Sequence, residues 1–464
     1  MPSFDAVIVG GGIAGLAAAY ELSQSAASFV VLERAPRAGG VIVSESIDGF
    51  TIDGGPDSLL IQKPAAIKLC EELGLGDRLV ATKPPRLAYI QRGGRLHALP
   101  AASVLGIPTR IGPFARTSLF SLRGKLRMAA EVAVPARRDG GDESIGAFIE
   151  RRFGAEARTY LAEPLLAGIH AGDVDRLSVR ALFPRLVEAE EKHGSLLRAF
   201  RNPAEPRPES HGRGPAIEGA FKSLPGGLTE MIDALVRAIG TTAIRTNTSV
   251  SSIGGSGPFT VRTAAGEEIS ARAVIVATPA YVTSGLMRDR DDELSRFCGE
   301  VRYASAGTVA FAFRRGAVAH PLSGSGFVVP QVEGSGILAA SWLSSKWPHR
   351  APEDWVLLRT FVGGARDPQA LERSDAELVA RSIAALTPLL GIRNEPLFTR
   401  VYRFDRGNAQ HEVGQLARMA AIDKALARHP GLFLTGSGFR GVGIPDCVAD
   451  GRATARQVTA WLQQ

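Results

Sequence analysis

The sequence predicts an α/β protein in which a parallel-sheet nucleotide-binding domain is joined to an antiparallel-sheet domain and an inserted, mainly helical domain. A β-branched run at residues 5–10 leads through a glycine-rich turn into an alanine-rich segment at 16–24, in the order strand, turn, helix. Residues 83–215 are rich in helical patterns and in arginine. Short β-type runs return after residue 300, which indicates a second sheet.

The composition is that of a globular protein with a large core. The 464 residues are 45% apolar and 22% charged, which excludes collagen-like, coiled-coil and wholly disordered chains. The three cysteines, Cys70, Cys298 and Cys447, lie far apart, so we expect no disulfide framework, no CxxC redox pair and no metal site. A reducing, cytoplasmic compartment fits this cysteine usage.

The positive charge is concentrated in one region. The net charge is +7, and residues 83–213 carry 22 Lys and Arg against 14 Asp and Glu. This region lacks nucleic-acid-binding motifs and interleaved aromatic residues, so we expect no nucleic-acid partner. An anionic membrane face, an acidic small molecule and a merely solvated arginine-rich face stay open as interpretations.

No segment has the length and apolarity of a membrane-spanning helix. Glu, Gly or Arg interrupts every apolar run before the roughly 18–20 residues that a span needs. The first 15 residues read as a strand entering a turn rather than as a basic leader, so we expect no removable targeting segment. Any membrane contact would therefore be peripheral.

The first turn carries a dinucleotide-binding pattern. Gly10, Gly12 and Gly15 follow a strand and precede a helix, so they allow a tight turn, close approach of backbone to a pyrophosphate, and packing of helix on strand. A second strand at residues 29–32 ends at Glu33, whose carboxylate can accept hydrogen bonds from a ribose. Glu33 does not distinguish NAD from FAD, because both carry an adenosine ribose.

Further glycine turns favour FAD. Arg37 stands on a glycine-rich loop just after Glu33, where a guanidinium can pair with a diphosphate. Glycine turns also occur at residues 55–58 and 435–438, near opposite ends of the chain. A long cofactor is needed to reach both, and there is no second GxGxxG turn of the nicotinamide type.

The remaining elements follow in order. The alternation at 49–55 predicts a hairpin, residues 64–75 an amphipathic helix, and the Pro/Arg/Gly-rich stretch 202–215 a flexible loop. Further segments are predicted as strands at 87–99, 273–277, 309–313, 326–329, 337–343, 356–362 and 431–435, and as helices at 228–239 and 444–461. We therefore expect a discontinuous nucleotide-binding domain of residues 1–82, 216–285 and 431–464, an inserted basic helical domain of 83–215, and a substrate-binding domain of 286–430.

Several longer motifs together resemble one family. The glycine fingerprint with Glu33 occurs with GIHAGD at 168–173, FVGG at 361–364 and GVGIPDC at 441–447. In this combination the chain is similar to the FAD-dependent protoporphyrinogen/coproporphyrinogen oxidases, a branch of the amine-oxidase-like flavoproteins. The resemblance covers nearly the whole chain and implies a Rossmann-type domain with non-covalent FAD, no metal, and a helical domain that contacts a membrane.

The resemblance also implies a set of cofactor-binding residues. They lie on the glycine turns, at the ends of the first strands and at the start of the last helix. The set comprises Gly10, Gly11, Gly12, Ile13, Ala14, Gly15, Glu33, Arg34, Arg37, Gly40, Val41, Gly55, Pro56, Asp57, Ser58, Val250, Leu416, Gly436, Val442, Gly443 and Ile444.

The implied substrate is a tetrapyrrole. Arg86 would pair with a propionate, and Val328, Trp342 and Phe361 would form apolar walls around the macrocycle. Gly168 would lie against the ring, where any side chain would intrude. As ordinary structural residues these positions would instead be a solvated arginine and core side chains.

The family implies six-electron oxidation of protoporphyrinogen IX or coproporphyrinogen III in haem biosynthesis, with O2 as acceptor and H2O2 as product. The chemistry resides at flavin N5, and no side chain is assigned as catalytic. The sequence does not decide between the two porphyrinogens. A flavin amine oxidase and a non-catalytic flavin-binding module are the alternatives. We expect a homodimer, and cytoplasmic location with peripheral contact to an anionic membrane.

Overall fold

The computed structural model describes residues 1–99, 103–104, 107–108, 111–201 and 219–464. The loop predicted at 202–215 lies outside the described residues. Within them the chain forms two seven-stranded sheets, three smaller sheets and a group of helices between residues 111 and 201.

The first sheet is the parallel sheet predicted at the N-terminus. Its strands run in the order Ile244–Arg245, Phe29–Leu32, Ser3–Val9, Glu268–Val276, Phe259–Thr263 and Val250–Gly254, and Leu432–Leu434 pairs with the second half of Glu268–Val276. The strands up to Glu268–Val276 and Leu432–Leu434 are parallel, whereas Phe259–Thr263 and Val250–Gly254 form an antiparallel hairpin that the sequence did not predict.

Helices cover both faces of the first sheet, as continuous apolar strands require. Ile13–Ser23 packs on one face between Thr229–Ile239 and Ile444–Leu462. Ala280–Met287 and Asp292–Gly299 cover the other face. The carboxyl ends of the parallel strands therefore open onto the turns at Gly10, Glu33 and Thr435.

The second sheet is mostly antiparallel. Its order is Phe398–Gln410, Arg302–Arg314, Trp355–Gly363, Ala339–Trp342, Gly326–Val328, Tyr89–Arg92 and Arg95–Ala98. Only the pairing of Gly326–Val328 with Tyr89–Arg92 is parallel. The last two strands fall within the stretch predicted to be the inserted domain. They are nevertheless hydrogen-bonded to this sheet. One face packs on the helix Asp375–Leu390.

The other elements are short. The small sheets pair Ser44–Ile47 with Phe50–Asp53, Phe221–Ser223 with Leu59–Leu60 and Val80–Ala81, and Ser103–Val104 with Ile107–Pro108. The remaining α-helices are Ala65–Glu72, Ile111–Arg116, Leu122–Ala129, Ile145–Phe153, Ala155–Ala157, Glu163–His170, Val179–Leu182, Pro184–His193, Leu196–Arg201, Leu343–Lys346 and Gln415–Leu426, with a π-helical turn at Arg158–Ala162.

The helices between residues 111 and 201 share one apolar core, and a buried ion-pair network reinforces it. Phe148 and Phe153 lie in the core, and Arg152 is buried between Glu131 and Glu190. Among the described residues, no helix combines the length and apolarity that crossing a bilayer requires.

Candidate cofactor and substrate site

The glycine turn has the close contacts that the fingerprint predicts. Gly10 has φ +108°, in the region that favours glycine. A Cβ at Gly15 would overlap the Gly10 carbonyl oxygen and lie 3.2 Å from the Ala277 Cβ. A Cβ at Gly12 would meet no protein atom within 4 Å. The turn is therefore tight on the side of the sheet and open at Gly12, which is the N-cap of the first helix.

Glu33 lies at the carboxyl end of the second strand, and its side chain points toward the glycine turn at residues 10–15. One carboxylate oxygen accepts a hydrogen bond of 2.6 Å from the Gly11 amide and the other accepts one of 2.7 Å from the Ala35 amide. The Thr248 amide donates to the Glu33 carbonyl, which brings the nearby Val250 strand alongside. Each carboxylate oxygen keeps a lone pair for a further donor.

Arg37 is bound to its own loop. Its guanidinium donates to the carbonyls of Ala38, Gly40 and Ile42 at 3.1, 2.7 and 2.9 Å. Arg37 therefore stabilises the conformation of the 38–42 loop. Arg34 and Arg37 are both exposed beside the turn.

An open strip runs from Gly12 along the 38–42 loop. The nearest neighbour of a Cβ at Gly40 would be the Gly12 Cα at 3.4 Å, so the two glycines face each other. Val41 is 42% exposed, an unusually high exposure for a valine. Gly55 packs so closely on the Val41 carbonyl that a Cβ there would overlap it.

The last helix closes the strip. A Cβ at Gly436 would meet only the Ala277 carbonyl oxygen, at 3.8 Å, so that turn is also open. Gly443 is the N-cap of Ile444–Leu462, and its amide donates to the Asp446 carboxylate at 3.3 Å in a capping box. Lys63 pairs with Asp446 in the first turn of this helix at 2.7 Å. Leu416, on the neighbouring helix, is 50% exposed.

Asp57 is engaged inside the protein. Its buried carboxylate is 2.9 Å from the Lys346 ammonium, 3.1 Å from the Trp347 indole nitrogen and 3.4 Å from the Arg359 guanidinium. Burial acts to raise the pKa of Asp57, but Lys346 and Arg359 outweigh it and hold that pKa below its ordinary value. Asp57 is therefore a carboxylate locked in an ion-pair cluster. Nothing in the sequence pattern indicates its partners.

Three of the substrate residues come together. Sheet register places Val328 and Phe361 on the same face, both beside Ala339. A Cβ at Gly168 would lie 3.2 Å from Val328 and 3.7 Å from Ala339, so the helix Glu163–His170 crosses this face at its glycine. Val328, Phe361 and Gly168 are all partly exposed. We call the surface formed by these three residues the substrate face.

Trp342 is not brought together with them. It is three residues after Ala339 on the same strand, so its side chain points to the other side of the sheet. There it is fully buried in the core with Phe327 and Tyr89. Trp342 was predicted as a wall of the pocket because the sequence alone does not establish which side of the strand its side chain faces.

Arg86 is an exposed residue. Its Nε donates to the Thr82 carbonyl at 3.1 Å, and its side chain lies next to Gly219. The structure therefore places Arg86 at the surface, beside Thr82 and Gly219.

Two histidines near the helix Glu163–His170 were given no functional role from the sequence. His170 ends the helix that carries Gly168, and burial lowers its pKa to about 4. Burial also lowers the pKa of His411, whose ring contacts the Ser437 carbonyl at 2.9 Å. Both imidazoles are therefore neutral at neutral pH. The described residues contain no cluster of three or more His, Cys, Asp or Glu that could hold a metal.

The comparisons with known proteins agree with this geometry. The model of the flavin-containing amine oxidoreductases matches residues 13–459. The chain belongs to this family. It is 35% identical to a coproporphyrinogen III oxidase of Bacillus subtilis strain 168, over 98% of each chain. It is 28% identical to a chloroplastic protoporphyrinogen oxidase of Nicotiana tabacum, over 99% of this chain and 86% of that one.

A solved structure has the same fold throughout. The provisionally named protoporphyrinogen oxidase of Exiguobacterium sp. 255-15 superposes with a TM-score of 0.87 at 32% identity, covering 100% of this chain and 99% of that one. The family resemblance inferred from the motifs and the mixed α/β fold are thus confirmed.

FAD is the cofactor of this flavin-containing amine oxidoreductase, as the sequence predicted. The open strip fits a dinucleotide, because Gly12, Gly40 and Gly436 leave their Cβ positions free of overlap along it. Backbone amides at the N-terminus of the first helix and the Glu33 carboxylate supply the donors and acceptor that a pyrophosphate and a ribose need.

Proposed function

We propose that this chain oxidises coproporphyrinogen III to coproporphyrin III in haem biosynthesis. The observation that carries the proposal is the full-length similarity to a protein named coproporphyrinogen III oxidase, at 35% identity. The similarity to a protein named protoporphyrinogen oxidase is lower, at 28%. Protoporphyrinogen IX is therefore the second candidate.

The substrate face suits a macrocycle. We propose that the tetrapyrrole packs against the exposed sides of Gly168, Val328 and Phe361, because Gly168 already lies within contact distance of Val328. Partly exposed apolar groups on a rigid sheet orient a large flat ligand and exclude water from it. Exposed Arg86 is proposed to receive a propionate, because a guanidinium suits a carboxylate. We leave Trp342 out of the pocket because it faces the opposite core.

The cofactor is proposed to lie along the open strip. Residues 10–15 and 40–41 would contact the pyrophosphate, and Glu33 with the Val250 strand would contact the adenosine. Residues 55–58, Leu416, Gly436 and the amides of 442–444 would border the rest of the molecule. FAD supplies two-electron redox chemistry, so a six-electron oxidation takes three rounds, with O2 as the final acceptor and H2O2 as product.

The three-part division of the chain is kept as a proposal, with residues 83–215 as the inserted domain apart from the strands Tyr89–Arg92 and Arg95–Ala98, which pair into the second sheet. We propose that this domain rests on an anionic membrane face. Leu122 and Leu126 lie one turn apart on the helix Leu122–Ala129 and are 74% and 65% exposed. Arg116 and Arg123 are exposed beside them. Apolar tips among cations are the pattern of a peripheral membrane contact. A cytoplasmic location and a homodimer remain predictions from the sequence.

A substitution at Gly168 tests the proposed pocket. A leucine there would crowd Val328, because even its Cβ would lie 3.2 Å from the Val328 side chain, so we expect Gly168→Leu to bind FAD normally but lose coproporphyrin III binding, measured by quenching of porphyrin fluorescence. Gly285→Leu is the matched control, because Gly285 is also helical and its Cβ would meet no atom within 4 Å. Equal porphyrin affinity of the two variants would contradict the proposed pocket.

A further inference from the structure

We propose that Arg359 is a positioning residue that fixes residues 53–58, called here the 53–58 segment, against the substrate face. The inference deepens the proposed function and rests on it, because it assumes that the cofactor borders the 53–58 segment and that the substrate lies on Phe361. In this proposal the buried guanidinium of Arg359 sets the distance between the cofactor strip and the substrate face.

The contacts of Arg359 join the two parts directly. The residue is 1% exposed on the strand Trp355–Gly363, two positions before Phe361, so both side chains point to the same side. Its guanidinium lies 4.7 Å from the centre of the Phe361 ring. The same group donates to the Asp53 carbonyl and, at 2.7 Å, to the Gly55 carbonyl.

The 53–58 segment also contacts the loop that forms part of the cofactor strip, so its position affects the strip. Gly55 packs on the carbonyl of Val41, and Val41 adjoins Gly40, whose Cβ position faces Gly12. The Gly54 amide also donates to the Val43 carbonyl at 2.9 Å. A shift of Gly55 would therefore displace the strip at Val41.

The geometry favours an arginine. One arm of the guanidinium, Nη1, donates to both carbonyls, the other arm, Nη2, lies 3.4 Å from the Asp57 carboxylate, and the group lies over the Phe361 ring. A lysine ammonium does not make all of these contacts at once. Without Arg359, the carbonyls of Asp53 and Gly55 would lose this donor, and the segment would move to recover hydrogen bonds.

The chain offers a control in Arg152. This arginine is also buried, but it lies in the core of the helices between residues 111 and 201, where it pairs with Glu131 and, at 3.2 Å, with Glu190. Its other donors go to backbone carbonyls of the same helical region. Among the described residues its hydrogen bonds do not reach the 53–58 segment, so its loss should affect stability alone.

The test compares Arg359→Lys with Arg152→Lys, each purified with FAD. We expect Arg359→Lys to raise the dissociation constant of FAD by about tenfold, which corresponds to one hydrogen bond to FAD lost as the 53–58 segment shifts. It should also shift the visible flavin spectrum and raise KM for coproporphyrinogen III more than it lowers kcat. Arg152→Lys should melt earlier but keep the wild-type FAD affinity and spectrum.

Two outcomes would overturn the proposal. One is that Arg359→Lys keeps the wild-type FAD affinity and flavin spectrum. The other is that both variants show the same change in FAD affinity and spectrum, which would make the role of Arg359 purely structural. These readouts do not involve the porphyrinogen, so they separate this inference from the proposed function, which fails if the wild-type enzyme does not oxidise a porphyrinogen.

A milder variant covers the case in which Arg359→Lys does not fold. The Thr308 hydroxyl donates to the Gly54 carbonyl at 2.7 Å and so holds the same segment from the next strand. Thr308→Val keeps the shape and removes this bond. We expect a smaller rise in the FAD dissociation constant and a spectral shift of the same sign, and their absence would refute the positioning of the segment by this sheet.

Discussion

Gly12 and Gly15 belong to one fingerprint, yet the structure predicts that alanine will act differently at each. A Cβ at Gly15 would overlap the Gly10 carbonyl oxygen, whereas a Cβ at Gly12 would meet no protein atom within 4 Å. Gly12 has φ −70° and ψ 176°, an extended conformation that alanine adopts without strain. The pair therefore separates packing of the helix on the strand from approach of the cofactor.

The magnitudes follow from these contacts. Gly15→Ala forces the first helix away from the turn, which we expect to cost about 1–3 kcal/mol of apoprotein stability, typical of overpacking. Gly12→Ala should cost at most about 1 kcal/mol, through the weaker N-cap. It should nevertheless weaken FAD binding about ten- to hundredfold, since a hydrogen bond to a charged group contributes about 1.5–3 kcal/mol.

The assay measures two quantities for each apoprotein: the midpoint of thermal unfolding and the dissociation constant of FAD from quenching of flavin fluorescence. We expect Gly15→Ala to lower the midpoint and to weaken binding, and Gly12→Ala to weaken binding alone. A Gly12→Ala protein with wild-type FAD affinity would refute the placement of the cofactor against this turn.

Three further predictions address the ribose contact, the buried ion pairs and the helical region. Glu33→Gln should raise the FAD dissociation constant about tenfold, because the glutamine side chain is an uncharged acceptor in place of the carboxylate beside the Gly11 N–H. Calorimetry measures this dissociation constant. Lys346→Met should cost about 3 kcal/mol at neutral pH by breaking a buried pair. Because the folded-state pKa of Asp57 lies below its ordinary 3.8, that stabilisation is present above pH 3.8 and is lost as the pH falls further, so melting curves of wild type and variant should converge in acid. Leu126→Ser should reduce sedimentation with anionic vesicles, and unchanged sedimentation would count against membrane contact through this helix.

The elements that carry strong local patterns were predictable. The β-branched run before Gly10, the alanine-rich helix after it and the strand ending at Glu33 all occur where the sequence predicted them. Each is specified by residues close together in the chain, so periodicity and turn chemistry suffice. The motifs likewise identified the flavoprotein family.

Other features depend on contacts between distant segments. The long edge strand Phe398–Gln410 was missed, because its exposed Arg, Asp and Asn residues break the apolar alternation. The opposite orientation of Trp342 and Phe361 follows from strand register, which pairing with other strands sets. The cluster of Asp57 with Lys346 and Arg359 joins residues about 300 positions apart and leaves no local signal.

The most direct measurement of the central claim is anaerobic mixing of the FAD-loaded protein with coproporphyrinogen III and, in parallel, with protoporphyrinogen IX. Flavin absorbance is followed first, and porphyrin fluorescence and H2O2 after air is admitted. The account predicts rapid bleaching with coproporphyrinogen III, slower bleaching with protoporphyrinogen IX, and porphyrin with H2O2 on reoxidation. A flavin that stays oxidised with both substrates would contradict the assignment as a porphyrinogen oxidase.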